Sequence, residues 1–434
     1  MSDCQYNLVC SSLYTCEHKD IFPPSIIDII AYVLLPILVG IGNVGGLGGG
    51  IIKVPLLMIL MNYQQRKATF ISYCIVLGGC LANSLLILRK QHPLKKKPLI
   101  DYNIIMIINP MVILGTNIGI ILNVIFPEIV SGVLFIIFLC TVSPYLFKKE
   151  SQLSRDNDLE KVNNSYIISD VKVDNIAQSQ IKNNDPGELK CFLMQEERQY
   201  PLNKLLILMF VFVSIQFLIF LRGGKGVGSF IGIKICSNSY WLLSAGILVY
   251  SLVVSYFIKI FISRNEIQKK MIFQKYGLEE YFKDDFDISD NKKYFIIWAS
   301  GLLSGCLSGT FGSGAALLLM PVFISYQLPP IIGSAVCGFN YFFIACASII
   351  SVFSEQYLTA YEVIIYSFLA FLGGFVCARI LYGIVERKKA QHIVVFIVVS
   401  LAVLNIIGNI VYLIKKKNDY GIDSLLSFGN FCEH

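Results

Sequence analysis

The chain has 434 residues, 55% of them hydrophobic and 15% charged, with a formal net charge of +7. A soluble domain averages about 25% charged residues, so this composition excludes a soluble globular protein and indicates a polytopic protein of the lipid bilayer. The excess charge is spread over loops, where basic residues orient membrane segments; it requires no nucleic-acid partner.

Residues 1–25 form a polar tail that carries Cys4, Cys10 and Cys16. Three cysteines so close together suit a disulfide-bearing tail in an oxidising compartment. Most other cysteines, such as Cys74, Cys80, Cys306 and Cys337, lie inside apolar runs, where a thiol is a small hydrophobe. The first apolar run begins near Ile26 and is expected to serve as the membrane signal itself.

Residues 26–147 hold four apolar segments, at 26–61, 67–88, 103–126 and 129–147. The last three are each long enough to cross about 30 Å of hydrocarbon. The first is interrupted by Gly45-Gly46-Leu47-Gly48-Gly49-Gly50-Ile51-Ile52-Lys53-Val54-Pro55. Inside a helix, Gly costs about 1 kcal/mol and Pro about 3, and a lysine at membrane depth costs at least about 2.5 kcal/mol. Irregular backbone survives there only when protein or a water-filled cavity satisfies it. The stretch therefore predicts a broken helix lining a substrate path.

The turn Arg89-Lys90-Gln91-His92-Pro93-Leu94-Lys95-Lys96-Lys97 is the strongest cytoplasmic marker. Residues 148–203 are polar and aperiodic and read as a disordered cytoplasmic loop. Two connecting segments fill 204–263. The basic turn Arg222-Gly223-Gly224-Lys225-Gly226 between them lacks the phosphate-loop spacing. A charged loop, 264–293, leads to a second apolar block at 294–414, and 415–434 is a tail opening with Lys415-Lys416-Lys417.

The second block copies the first. Gly46-x-Gly48 is followed seven residues later by Pro55, and Gly312-x-Gly314 seven residues later by Pro321. Each broken segment precedes three further apolar segments. The expected fold is all-α, with two structural repeats of about four helical segments, 26–147 and 294–414. If each broken segment crosses once the repeats are parallel; if each folds back they are inverted. Inversion is favoured because it puts the cysteine tail outside.

These residues resemble the TauE/SafE sulfite exporter family, in its eukaryotic, plant-like branch. The likeness rests on the paired Gly-rich breaks closed by Pro, on His92-Pro93 through Asp101-Tyr102-Asn103, on Asn109-Pro110-Met111, on Leu114-Gly115-Thr116-Asn117-Ile118-Gly119, and on Cys236-Ser237-x-x-Tyr240-Trp241. Three positions depart from the pattern. Gly312-Ser313-Gly314-Ala315-Ala316 dilutes a glycine run, Asn109 replaces an acid, and Lys53 replaces an apolar residue. The resemblance implies export of sulfite or organosulfonates.

Such oxyanions need a replacement for their hydration shell. A helix start offers free N–H donors and about half a positive charge, and Gly lets an anion approach the backbone. Two breaks would bring two donor sets together near the midplane, and Lys53 would add a full charge. The expected substrate-binding residues are Gly46, Gly48, Gly49, Gly50, Lys53, Asn83, Gly312, Ser313, Gly314 and Asn340, with a small anion as the partner. Against this stand two plainer readings: the glycines allow close helix crossing, and Lys53 snorkels to an interface. Ser72, Tyr73, Asn117, Ser308, Thr310 and Ser334 are expected mainly as hydrogen-bond partners between helices. Four histidines, no Cys-x-x-Cys pair and no mid-segment acid argue against an enzyme, a metal or a cofactor. A scaffold or receptor that keeps the fold without transporting is the alternative.

Overall fold

The computed structural model describes residues 8–10, 16–18, 24–44, 50–92, 96–162, 187–223, 229–275, 290–312, 316–326, 328–355, 358–388, 392–420 and 432. The tail contains an antiparallel hairpin, β1 (Leu8–Cys10) and β2 (Cys16–His18), with Cys10 opposite Cys16; Cys4 lies outside the described residues. Thirteen helices follow among those residues. The first repeat holds α1 (Ile26–Val44), α2 (Gly50–Leu60), α3 (Gln65–Ile87), α4 (Tyr102–Ile125) and α5 (Glu128–Val162). Then come α6 (Gly187–Glu196), α7 (Leu202–Arg222) and α8 (Asn238–Lys275). The second repeat holds α9 (Asn291–Phe311), α10 (Ala316–Ser325), α11 (Pro330–Glu355), α12 (Ala360–Lys388) and α13 (His392–Tyr420). Nine of these helices are long and apolar enough to cross a membrane, and α5 adds the shorter apolar stretch Ile129–Tyr145.

Polar residues mark where several of these helices start. Ser25 and Asp28 form a reciprocal capping box at α1. Asp101 accepts from the Asn103 and Ile104 amides at α4, and Asp290 from the Lys292 amide at α9. Two helices outrun their apolar sequence: α5 continues past residue 147 and α8 past residue 263. The change in composition there marks the edge of the apolar layer rather than the helix end, because Lys, Glu and Gln are good helix formers. The end of α8 is pinned by Lys269 against Glu196 of α6 and by Glu266 accepting from Asn103.

Helix directions follow from side-by-side contacts. Pro36 and Gly40 of α1 meet Gly373 and Cys377 of α12, so these helices run parallel. Ser367 of α12 bonds the Cys74 carbonyl, and Tyr382, further along α12, bonds Asn83, so α3 runs the same way. On the other side, Gly301, Gly305 and Gly309 of α9 lie beside Ile108, Val112 and Thr116 of α4, again parallel. The short turn after α3, where Gln91 bridges Pro98, reverses the chain into α4. Thus α1, α3 and α12 run one way and α4 and α9 the other. The first helices of the two repeats point in opposite directions, and the repeats are inverted.

The broken segments fold back. The end of α1 lies level with Gly79 and Asn83, past the middle of α3. Helix α2 then returns to the start of α3, where the Tyr63 amide bonds the Leu57 carbonyl. In the same manner α10 returns beside the start of α11, with Met320 and Phe323 against Gly333. The first helix of each repeat packs on the fourth helix of the other, α1 on α12 and α9 on α4. One face of the molecule therefore carries the basic turn after α3 and the end of α12. The opposite face carries the start of α1, Lys415 beside Asn62, and a disulfide joining Cys236 to Cys432.

The α4–α9 pair is closed by small residues. A Cβ at Gly305 would collide with the Val112 carbonyl oxygen, one at Gly309 with that of Thr116, and one at Gly119 with that of Cys306. Such contact lets dispersion forces act where lipid offers no hydrophobic gain from association. Gly305→Leu is expected to destabilise the fold by about 1–3 kcal/mol or more, read as a lower melting temperature in detergent. Gly383→Leu, with open space around it, should leave the melting temperature unchanged.

Candidate functional site

The tips of the two hairpins define the centre. Gly46, Gly48 and Gly49 in the first tip, and Ser313 and Gly314 in the second, lie outside the described residues. Their flanks are placed: Val44 and Gly50 on one side, Gly312 and Ala316 on the other. Gly312 ends α9 with φ +63°, a left-handed conformation that costs Gly nothing. The α1 end is level with Gly79–Asn83 of α3, whereas Gly312 lies against Thr69 and below Ser72. Ten residues of α3 separate these levels, roughly 15 Å at 1.5 Å per residue. Helix α1 thus ends on one side of the middle of α3, and α9 on the other.

A helix that ends at this depth leaves carbonyls without partners, and side chains satisfy them. At α1, the Asn43 carbonyl accepts from Asn83 Nδ2 (3.5 Å) and Tyr382 Oη (3.4 Å), and the Val44 carbonyl accepts from Ser334 Oγ. At α9, the Gly309 carbonyl accepts from Tyr73 Oη, the Thr310 carbonyl from Asn123 Nδ2 (2.6 Å) and the Gly312 carbonyl from Ser72 Oγ (3.3 Å). The pattern is reciprocal. Helices α11 and α12, with Asn83 of α3, cap the first hairpin, and α3 and α4 cap the second. Three of the residues expected as inter-helix partners, Ser72, Tyr73 and Ser334, do this, and so does Asn83, which was expected to bind substrate. Asn117 and Thr310 instead bond carbonyls of their own helices.

Lys53 lies in the first turn of α2 and is fully buried at 0% exposure, which rules out snorkelling to an interface. Its neighbour Val54 touches Gly312 at the end of α9. Its charge is within electrostatic reach of Cys80 on α3. Tyr341 of α11 lies near Cys80 and near Ser308 of α9. These side chains form a polar centre walled by the apolar core.

The two asparagines part company. Asn83 has its amide on the Asn43 carbonyl and its Oδ1 on Tyr382 (3.1 Å), so it is engaged in closing the α1 end. Asn340 is buried at 0%, and neither carboxamide atom has a hydrogen-bond partner among the described residues. It lies two turns along α11 from Gly333, on the face that Gly333 presents to α10. That is the side of the α10 start. Two capping residues, Asn123 and Tyr382, were not singled out from sequence. A lone amide or hydroxyl near the end of an apolar run was the available signal, but it is shared with many interfacial residues.

The caps give a direct test. Tyr73→Phe leaves the buried Gly309 carbonyl unsatisfied and is expected to cost about 1–3 kcal/mol. Thermal unfolding in detergent should show the loss. Tyr145→Phe on the exposed part of α5 should show none.

Comparison with known proteins matches this architecture. The family model described as "Sulfite exporter TauE/SafE" matches residues 32–213 and again 210–405, one match to each half. Sulfite exporter TauE/SafE family protein 3 of Arabidopsis thaliana is 25% identical over 418 residues, covering 89% of this chain and 80% of the relative. Family protein 5 of the same plant is 27% identical over 383 residues, covering 85% and 79%. Family protein 2 is 26% identical over 388 residues, covering 87% and 81%. No solved structure matches. With the family model spanning both inverted halves, the chain belongs to the sulfite exporter TauE/SafE family of multi-pass membrane transporters.

Proposed function

We propose that the protein exports a small sulfur oxyanion, sulfite or an organosulfonate, through the space between the two hairpin tips. The observation that carries this reading is Lys53, a buried cation in the first turn of a half-helix, between two glycine-rich breaks. A lysine there is costly, and an anionic substrate beside it would offset part of that cost. Main-chain amides of Gly46, Gly48, Gly49 and Gly50, and of Gly312, Ser313 and Gly314, would replace the hydration shell. Asn340 would add a neutral amide from α11.

Direction follows from the two faces. Lysine-rich turns favour the cytosolic side, and a disulfide persists on an oxidising side. Export therefore runs from the basic face to the disulfide face.

Flux of labelled sulfite and a sulfonate from proteoliposomes tests the reading. Gly48→Leu and Gly314→Leu should each abolish flux while the protein still purifies as a folded species. Normal flux in both would defeat the backbone site. Lys53→Gln should weaken anion affinity at least about tenfold, a loss of 1.4 kcal/mol, without lowering the melting temperature. Absence of flux for every anion would instead favour a non-transporting scaffold.

A further inference from the structure

Resting on the transporter reading above, we infer that the seam where Asn109 of α4 meets the serine edge of α9, Ser300, Ser304 and Ser308, is a binding stretch that passes the oxyanion inward from the basic face. Glycine contacts fix the register of the two helices. Gly301 lies beside Ile108, Gly305 beside Val112 and Gly309 beside Thr116, so these residues form the ridge along which α4 and α9 touch. Asn109 follows Ile108 by one residue, about 100° around the helix. That is the face which Tyr102, two turns earlier, turns to Phe339 of α11, with 6.1 Å between ring centroids. Ser300, Ser304 and Ser308 each precede a glycine of the ridge, and Ser308 lies near Tyr341 of α11. Both polar edges therefore open on α11, and Asn109 falls between the levels of Ser300 and Ser304. All four side chains are buried.

The serines by themselves need no ligand. Ser300 donates to the Ile297 carbonyl at 2.8 Å and Ser304 to the Gly301 carbonyl at 2.9 Å, the common resting place of a serine inside a helix. Asn109 is different. It is 0% exposed, and neither Nδ2 nor Oδ1 has a hydrogen-bond partner among the described residues. A native interior seldom keeps such a group without a ligand or water to serve it. Its Nδ2 carries two neutral N–H donors, which suit an oxyanion. The serine hydroxyls are rotors. Each can turn from its own carbonyl to a passing oxygen, and the carbonyl it leaves still has the helix amide four residues on. Neutral donors with a second partner always in reach bind an anion and let it go again, as passage requires. Helix α9 runs parallel to α4, which starts at the basic turn, so the stretch from Ser300 to Ser308 leads inward over about 12 Å.

Flux of sulfite and methanesulfonate from proteoliposomes, with thermal unfolding in detergent beside it, tests this. Asn109→Leu keeps the volume and removes an unsatisfied amide, so the melting temperature should hold or rise. Flux of both anions should fall at least about tenfold, the factor for one hydrogen bond to a charged group. Ser304→Ala should also lower flux at an unchanged melting temperature. Thr141→Val is the control: Thr141 makes the same own-helix bond, to the Phe138 carbonyl, on the exposed side of α5, and both readouts should stay level. If the leucine variant does not fold, Ser304→Ala, which adds no atoms, decides alone. Wild-type flux in Asn109→Leu and Ser304→Ala overturns the seam and leaves the transporter reading intact. A wild type that moves neither anion overturns the transporter reading itself.

Discussion

Two helices of this protein end in the apolar interior, where no bulk water reaches their last carbonyls. Hydrocarbon allows such ends only if protein groups satisfy them, and here most of the groups come from the opposite repeat. Ser334 and Tyr382 close the end of α1, while Tyr73, Ser72 and Asn123 close the end of α9. The close helix pairs that deliver these donors rest on glycine: α4 could not bring Asn123 to Thr310 if Gly305 and Gly309 carried side chains. Capping, small-residue packing and inversion are thus one arrangement seen from three sides.

The same geometry decides what the centre offers a solute. A helix start alone would present a net positive end. A hairpin presents a start and an end together, and the end is already filled by side-chain donors. Lys53 and Leu319 occupy repeat-related positions and are both fully buried, so the two halves of the core differ there in polarity.

Much of the fold was legible from the pattern of apolar runs. The two blocks at 26–147 and 294–414, their glycine-rich openings and their Pro55 and Pro321 markers all followed from spacing. Inversion followed less directly, because it turned on whether a broken segment crosses or returns, and hydropathy is the same in both cases. The depth of the tips was not legible, since it depends on contacts such as Asn43 with Gly79 that join residues far apart in sequence. The disulfide partner of Cys236 was missed for the same reason: Cys432 is 196 residues away, and the cysteine cluster in the tail drew attention instead. Lys53 was recognised from its cost in hydrocarbon, while Asn123 and Tyr382 look like ordinary interfacial residues until the helix ends they serve are placed.

The exchange of caps between repeats also bears on how the protein is made. When α1 and α2 leave the ribosome, the groups that close their bend do not yet exist. Ser334 follows Val44 by 290 residues and Tyr382 follows Asn43 by 339. At about 5–20 residues per second, the nascent hairpin waits on the order of 15 to 60 s for its partners. During that interval its exposed carbonyls must be held by water, by the insertion machinery or by a shallow position at the membrane surface. The first hairpin of this protein is thus inserted early and seated last.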